Sequence, residues 1–354
     1  INFLNEKNQK ITINNFNIKF SNHINNKFLY GDFNLNGSEK KIFFERNNNT
    51  KIFSQIVFKI SNLDTSKTLS FINEIENLSQ GQITGKIAFD FNKNYEIQNI
   101  QGDLEKINFI INSSYLKTYI SENDFHGKFS FNYNFEKDKL YIKNIEINNN
   151  VNTFHGSIFI DGLSKKNKEI ISEFEGKKIN LNFFKIKNLL NLDNENLKIE
   201  FNKNNLSEFK ISLKLTAKEN FKNVILNELS SHSLYENLNL TYNSEYFEKI
   251  EGNFGGNISI KFNKLNNKFT SNGHIFFDKF LLKHFNTEKE EALKSIAFNW
   301  AQNPSSININ NIDLVTDEKT KVSGKIQIKL DNYKSSKLEL DLNSPRIEYN
   351  LVKK

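Results

Sequence analysis

Leu140-Tyr141-Ile142-Lys143-Asn144-Ile145-Glu146-Ile147 is the stretch on which the fold turns. Apolar and polar residues alternate, Asn144 intrudes, and the alternation restarts one place out of phase. Shortly afterwards Phe154, Gly156, Ile158 and Ile160 set a glycine on the apolar parity of a new alternating run. The couple recurs. Ile11-Thr12-Ile13-Asn14-Asn15-Phe16-Asn17-Ile18 precedes Leu29, Gly31, Phe33 and Leu35. Ile307-Asn308-Ile309-Asn310-Asn311-Ile312-Asp313-Leu314 precedes Val322, Gly324, Ile326, Ile328 and Leu330. Period-two alternation marks strands with one apolar and one wet face.

The glycine-centred run appears elsewhere without its Asn partner. Ile83, Gly85, Ile87, Phe89 and Phe91 share one parity, as do Phe125, Gly127, Phe129, Phe131, Tyr133 and Phe135. Phe254, Gly256, Ile258, Ile260 and Phe262 repeat it, and Phe269, Gly273, Ile275 and Phe277 do so imperfectly. The continuous Val and Ile runs of a sheet buried on both faces are missing. Only Pro304 and Pro345 remove a ladder donor. The sequence therefore predicts a mainly β protein, a long antiparallel meander. In it, Asn15, Asn144 and Asn311 read as β-bulges, each letting flanking apolar residues face the same side. The bland alternative is that Asn is simply abundant in this chain. The glycines leave gaps on the apolar face and permit bends. Bulges and glycines together curve a sheet, and a sheet curved repeatedly in one sense becomes a trough or a barrel.

Two insertions read as helical. Near 65–79, Leu69, Ile72, Ile75 and Leu78 have helical spacing before Gly81. Near 288–302, Thr287-Glu288-Lys289-Glu290 forms a capping box ahead of Leu293, Ile296, Ala297 and Trp300, with Pro304 beyond. A third short helix is expected within Phe221 to Leu229. No Pro/Gly/Ser-rich linker divides the chain, so residues 1–354 read as a single elongated unit.

Composition narrows the partners. The 354 residues carry a formal charge of +7, but Arg46 and Arg346 are the only arginines. Base readout and bidentate phosphate recognition favour Arg, so the balance does not point to nucleic acid. The Lys, Asn, Ile and Phe excess fits AT-rich codon usage. Cysteine is absent, which removes disulfides, thiolate chemistry and Cys-bound zinc. Methionine is absent too, and the chain opens on Ile1, so it reads as a piece of a longer polypeptide. No apolar run is long enough for a transmembrane helix or a signal segment.

Catalytic chemistry finds little support. His23, His126, His155, His232, His274 and His284 are scattered. His126 and His155 share a Phe-His-Gly context, which would bring two ligands onto neighbouring strands. The structural reading is that each occupies the wet parity just before a strand glycine, where Thr84, Gly255 and Ser323 stand in other copies. Glu288, Glu290 and Glu291 suit a helix start. No phosphate-cradling loop or nucleophile elbow follows a strand. The sequence predicts neither an enzyme nor a cofactor. What remains is an apolar stripe rich in Phe, 34 residues against a single Trp. In a closed sandwich the stripe is core; in a curved single sheet it lines a groove. Alternation is the same in both.

The order of patterns resembles the AsmA-like superfamily of Gram-negative envelope proteins, including its AsmA, TamB and YhdP branches. The couples at Asn15 and Gly31, Asn144 and Gly156, and Asn311 and Gly324 carry the resemblance. Gly81-Gln82-Ile83-Thr84-Gly85-Lys86-Ile87, after a Leu-rich segment, is similar as well. The resemblance implies an elongated, taco-like β-groove in the periplasm, held at the inner membrane by an N-terminal helix outside this chain. It implies passive transfer of phospholipids toward the outer membrane, acyl chains sliding along the apolar face without a cofactor. The lining is expected from Ile87, Phe89, Phe91, Phe129, Phe131, Tyr133, Ile258, Ile260, Phe262, Ile326, Ile328 and Leu330. Competing readings are a non-catalytic structural or adhesive β-sandwich of the envelope and an outer-membrane barrel, the latter disfavoured by the near absence of Trp for aromatic girdles.

Overall fold

A computed structural model describes residues 2–4, 10–23, 26–35, 41–49, 52–64, 80–110, 124–149, 152–179, 197–200, 207–218, 223–242, 247–284, 290–316, 321–331 and 334–346. These residues are almost entirely antiparallel β-strand, as the alternation predicts. The chain divides into two compact units. Unit 1 comprises Ile1–Phe174 with Thr216–Val224, and unit 2 comprises Glu175–Leu215 with Ile225–Lys354.

Unit 1 opens with β1 (Asn2–Leu4), β2 (Lys10–His23), β3 (Asn26–Leu35), β4 (Lys41–Asn49) and β5 (Ile52–Asp64). It continues through β6 (Gln80–Phe91), β7 (Ile97–Ile110), β8 (Asp124–Asn134), β9 (Lys139–Asn148) and β10 (Thr153–Asp161). Each strand pairs antiparallel with the next from β1 to β10. Next come β11 (Asn167–Ile179), β12 (Leu197–Glu200), β13 (Ser207–Lys218) and β14 (Asn223–Tyr242). The boundaries between units fall inside β11, β13 and β14. Unit 2 continues with β15 (Phe247–Asn263), β16 (Lys268–His284), β17 (Glu290–Asn303), β18 (Ser306–Thr316), β19 (Lys321–Asp331) and β20 (Lys334–Arg346). From β14 to β20 each strand again pairs antiparallel with its successor.

All three expected bulges are present. Asn15, Asn144 and Asn311 have φ of 50°, 52° and 53°, and the ladders shift register at each. The left-handed region costs an ordinary side chain about 1–2 kcal/mol, and Asn is among the few residues that visit it routinely. Asn62 (φ 49°) adds a bulge of the same kind between Ile60 and Leu63. There the Asn62 N–H donates to Thr84 Oγ1, and the Thr84 hydroxyl donates to Asn62 Oδ1, both at 2.9 Å.

Two expected helices are strands. Residues 290–303 form β17, paired on one side with β16 and on the other with β18. The helical stripe Leu293–Ile296–Ala297–Trp300 hides a second period, Ile296–Phe298–Trp300. Taken up as strand, that period satisfies the ladder groups of both neighbours, which a helix would orphan. Residues 223–229 likewise belong to β14. The helix expected near 65–79 lies outside the described residues.

A hydrophobic cluster lies in unit 1, where Phe33, Ile42, Phe44 and Leu63 are buried with Ile13, Leu29, Leu35, Ile56, Phe58 and Ile60 against them. Phe16 stacks on Phe44 with ring centroids 5.8 Å apart, and Phe58 meets Phe89 edge-on at 5.5 Å.

Candidate apolar binding face

Cross-strand register assembles the alternating residues into rows. In unit 1 one row runs Ile18, Gly31, Phe44, Phe58, Ile87, Gly102, Phe131, Ile142 and Ile158, one residue from each strand from β2 to β10. The adjacent row runs Phe20, Leu29, Arg46, Ile56, Phe89, Ile100, Tyr133, Leu140 and Ile160. On the other side lie Ile60, Gly85, Leu104 and Phe129. In unit 2 a row runs Ser233, Ile258, Gly273, Trp300, Ile309, Ile326 and Leu340 from β14 to β20. Its neighbour runs Ser231, Ile260, Ser271, Gln302, Ile307, Ile328 and Leu338.

The expected lining residues fall on these faces, divided between the units. Ile87, Phe89, Phe91, Phe129, Phe131 and Tyr133 stand on β6 and β8 of unit 1, with β7 between them. Ile258, Ile260, Phe262, Ile326, Ile328 and Leu330 stand on β15 and β19 of unit 2, separated by β16 to β18. Every one of them is half-buried. Exposure rises on β20, where Leu338, Leu340 and Leu342 are 59%, 59% and 52% exposed. Burial along the unit 1 face is uneven: Phe44, Leu104, Ile145 and Ile160 are buried, while their neighbours in the rows are mostly half-exposed.

The glycines do not leave open gaps. The Phe44 ring lies over Gly31, Phe131 over Gly102, Phe174 over Gly156 and Trp300 over Gly273. An aromatic from the next strand covers each missing side chain and keeps the face continuous. Gly85 and Gly256 have φ of 154° and 144°, and a Cβ at either would be driven into a backbone carbonyl, of Asp103 or His274.

Reading from the glycine runs missed several members of the face. Phe58 belongs to the alternation Ile56–Phe58–Ile60, which has no glycine to mark it. Trp300 was assigned to a helix stripe. Arg46, a cation on the apolar parity, gives no signal within its own strand.

The opposite face is wet and densely paired. Lys41 meets Asp32 at 2.9 Å, Lys59 meets Glu45 at 3.0 Å and Lys128 meets Glu146 at 2.8 Å. Hydrogen bonding from Lys41 lowers the Asp32 pKa, and Lys128 does the same for Glu146. His126 and His155 stand on this face just before Gly127 and Gly156, with His126 Nδ1 2.6 Å from Asn108 Oδ1. Among the described residues no cluster of His, Asp and Glu could hold a metal ion. An open concavity of about 570 Å³ in unit 1 has a mixed lining, with Gln55, Lys86, Asp103 and Lys143 beside Val57, Ala88, Phe131 and Tyr141. Another of about 360 Å³ lies on the wet side of unit 2, near Asn308, Gln327, Glu339 and Asp341.

At one rim of unit 1, Tyr133 is tied to the turn after β8. Its hydroxyl donates to Asp138 Oδ1 at 2.8 Å, and Asp138 also accepts from the Ser164 N–H and hydroxyl. Burial, then the hydrogen bond to Asp138 and its charge, push the Tyr133 phenol up to about 12. Burial alone would raise the Asp138 pKa, but the donors from Ser164 and Tyr133 bring it below the usual carboxylate value.

No protein-family model, curated protein or solved structure matches the chain.

Proposed function

We propose that the apolar face of each unit shelters phospholipid acyl chains, and that the chain is a segment of a periplasmic lipid conduit of the AsmA-like kind between inner and outer membrane. The observation that carries the reading is the half-exposure of most side chains in apolar rows that continue strand after strand without a charged residue, Arg46 excepted. Removing acyl chains from water is worth about 0.8 kcal/mol per methylene. A continuous apolar path therefore lowers the barrier to movement, while headgroups stay in water beside the rim. No covalent step and no cofactor enter this mechanism. Against a structural or adhesive sandwich stands the incomplete burial of most of these side chains, which a sealed core would hide.

Native mass spectrometry of the purified chain tests the reading. Co-purifying phospholipid is the expected result. Phe131→Asp with Ile260→Asp places charge on the face of both units and abolishes loading with the strand content intact by far-UV circular dichroism. Absence of lipid on the wild-type chain, or unchanged loading of the double variant, overturns the reading.

A further inference from the structure

Arg46 is the single charged side chain in the apolar rows of unit 1 described above. In register it lies between Leu29 on β3 and Ile56 on β5, and Phe44, two residues earlier on β4, is buried. Its Nε is buried and has no hydrogen-bond partner. The wet-face lysines Lys41, Lys59 and Lys128 all have carboxylates beside them. A guanidinium stays charged at any physiological pH and presents a planar fork of donors that matches carboxylate or phosphate oxygens. Arg46 is half-buried, and its Nε, set beside Leu, Ile and Phe, is a buried donor that an arriving anion would satisfy.

The position also suits such an anion. The row that holds Arg46 holds Tyr133 and Ile160 as well, which lie just inside the turns at 135–138 and 162–166. It is therefore a row next to one rim, and on its inner side runs the row of Phe44, Phe58 and Ile87. A polar group entering from solvent reaches Arg46 first, and a chain attached to it continues over hydrocarbon.

We propose that Arg46 is the headgroup anchor of this face: it takes the carboxylate or phosphate of an anionic acyl amphiphile whose chain lies over Ile56, Phe58, Ile87 and Phe89. The inference rests on the acyl-binding reading above and adds charge selectivity to it. A charge-assisted bond of this kind gives a preference of roughly tenfold or more for the anionic form.

The test uses a fluorescent long-chain fatty acid, its methyl ester and inorganic phosphate with the intact 354-residue chain. The wild type is expected to bind the acid about tenfold more tightly than the ester. R46L equalises the two by weakening binding of the acid, and R46K restores part of the preference. Phosphate at the concentration of the probe does not displace the acid, because it brings no chain. In phosphatidylcholine vesicles, added phosphatidylglycerol is expected to bind the wild type more tightly than added diacylglycerol, and to lose that advantage in R46L if a phosphate headgroup takes the place of the carboxylate. An advantage that survives in R46L counts against Arg46. Equal affinity of acid and ester for the wild type overturns the Arg46 assignment alone. So does an acid preference that survives in R46L, or displacement by free phosphate. Binding of neither acid nor ester overturns the acyl-binding reading and this inference with it.

Discussion

Truncating Phe131 measures directly how open the apolar face is. The ring is half-buried and lies over Gly102. Complete burial of a Phe side chain is worth about 1.5–3 kcal/mol, so partial burial together with uncovering Gly102 puts Phe131→Ala at about 1–2 kcal/mol. Phe44 stands in the same row on β4 but is only 9% exposed, with Phe16, Phe33 and Phe58 around it. Phe44→Ala removes a packed ring and is expected to cost about 3–5 kcal/mol. Both residues belong to unit 1, so one urea transition followed by far-UV circular dichroism reports both variants, each cost read from the midpoint shift at constant slope. A smaller loss for Phe131→Ala supports a face in contact with solvent or lipid. Equal losses near 4 kcal/mol would mean that Phe131 is sealed in a core, and the half-exposed rows would lose their meaning as a binding surface.

Other perturbations probe the devices that shape the sheet and its rim. Gly256→Ala forces a side chain into the His274 carbonyl at a φ that L residues avoid, and should cost about 1–3 kcal/mol; unchanged hydrogen-exchange protection of the β15–β16 ladder would contradict this. Asn144→Gly should leave stability nearly unchanged, whereas Asn144→Val pays for the left-handed backbone with about 1–2 kcal/mol in thermal or urea unfolding; equal stabilities would refute the bulge geometry. The Tyr133 phenol, raised to about 12, binds its proton more tightly folded than unfolded. Its stabilisation is thus complete below the ordinary phenol pKa near 10 and is lost as pH rises through 12. An ultraviolet titration should show a phenol ionising near 12 that disappears in Tyr133→Phe, and a wild type with every phenol titrating near 10 would disprove it.

Much of this architecture is legible without coordinates because strand chemistry is local. Asn144 betrays a bulge because a phase change in alternation needs one extra residue, and Asn is among the few side chains that accept the backbone it requires. The glycine runs declare strands for the same reason. The region 290–303 misleads because Leu293, Ile296, Ala297 and Trp300 satisfy helical spacing while Ile296, Phe298 and Trp300 satisfy the period of two. Local sequence supports both, and the ladders of β16 and β18 decide between them. Arg46 escapes notice because its meaning comes from Leu29 and Ile56, which become its neighbours only across strands.

Sequence by itself determined the parity of this protein, since in a strand the side-chain direction repeats every two residues and the bulges at Asn15, Asn144 and Asn311 reset it visibly. Tertiary structure alone decided which residues share a row, which rings cover which glycines, and how far the apolar face is hidden. Those properties depend on register and on the layer beyond the sheet, and neither is encoded in the alternation of a single strand.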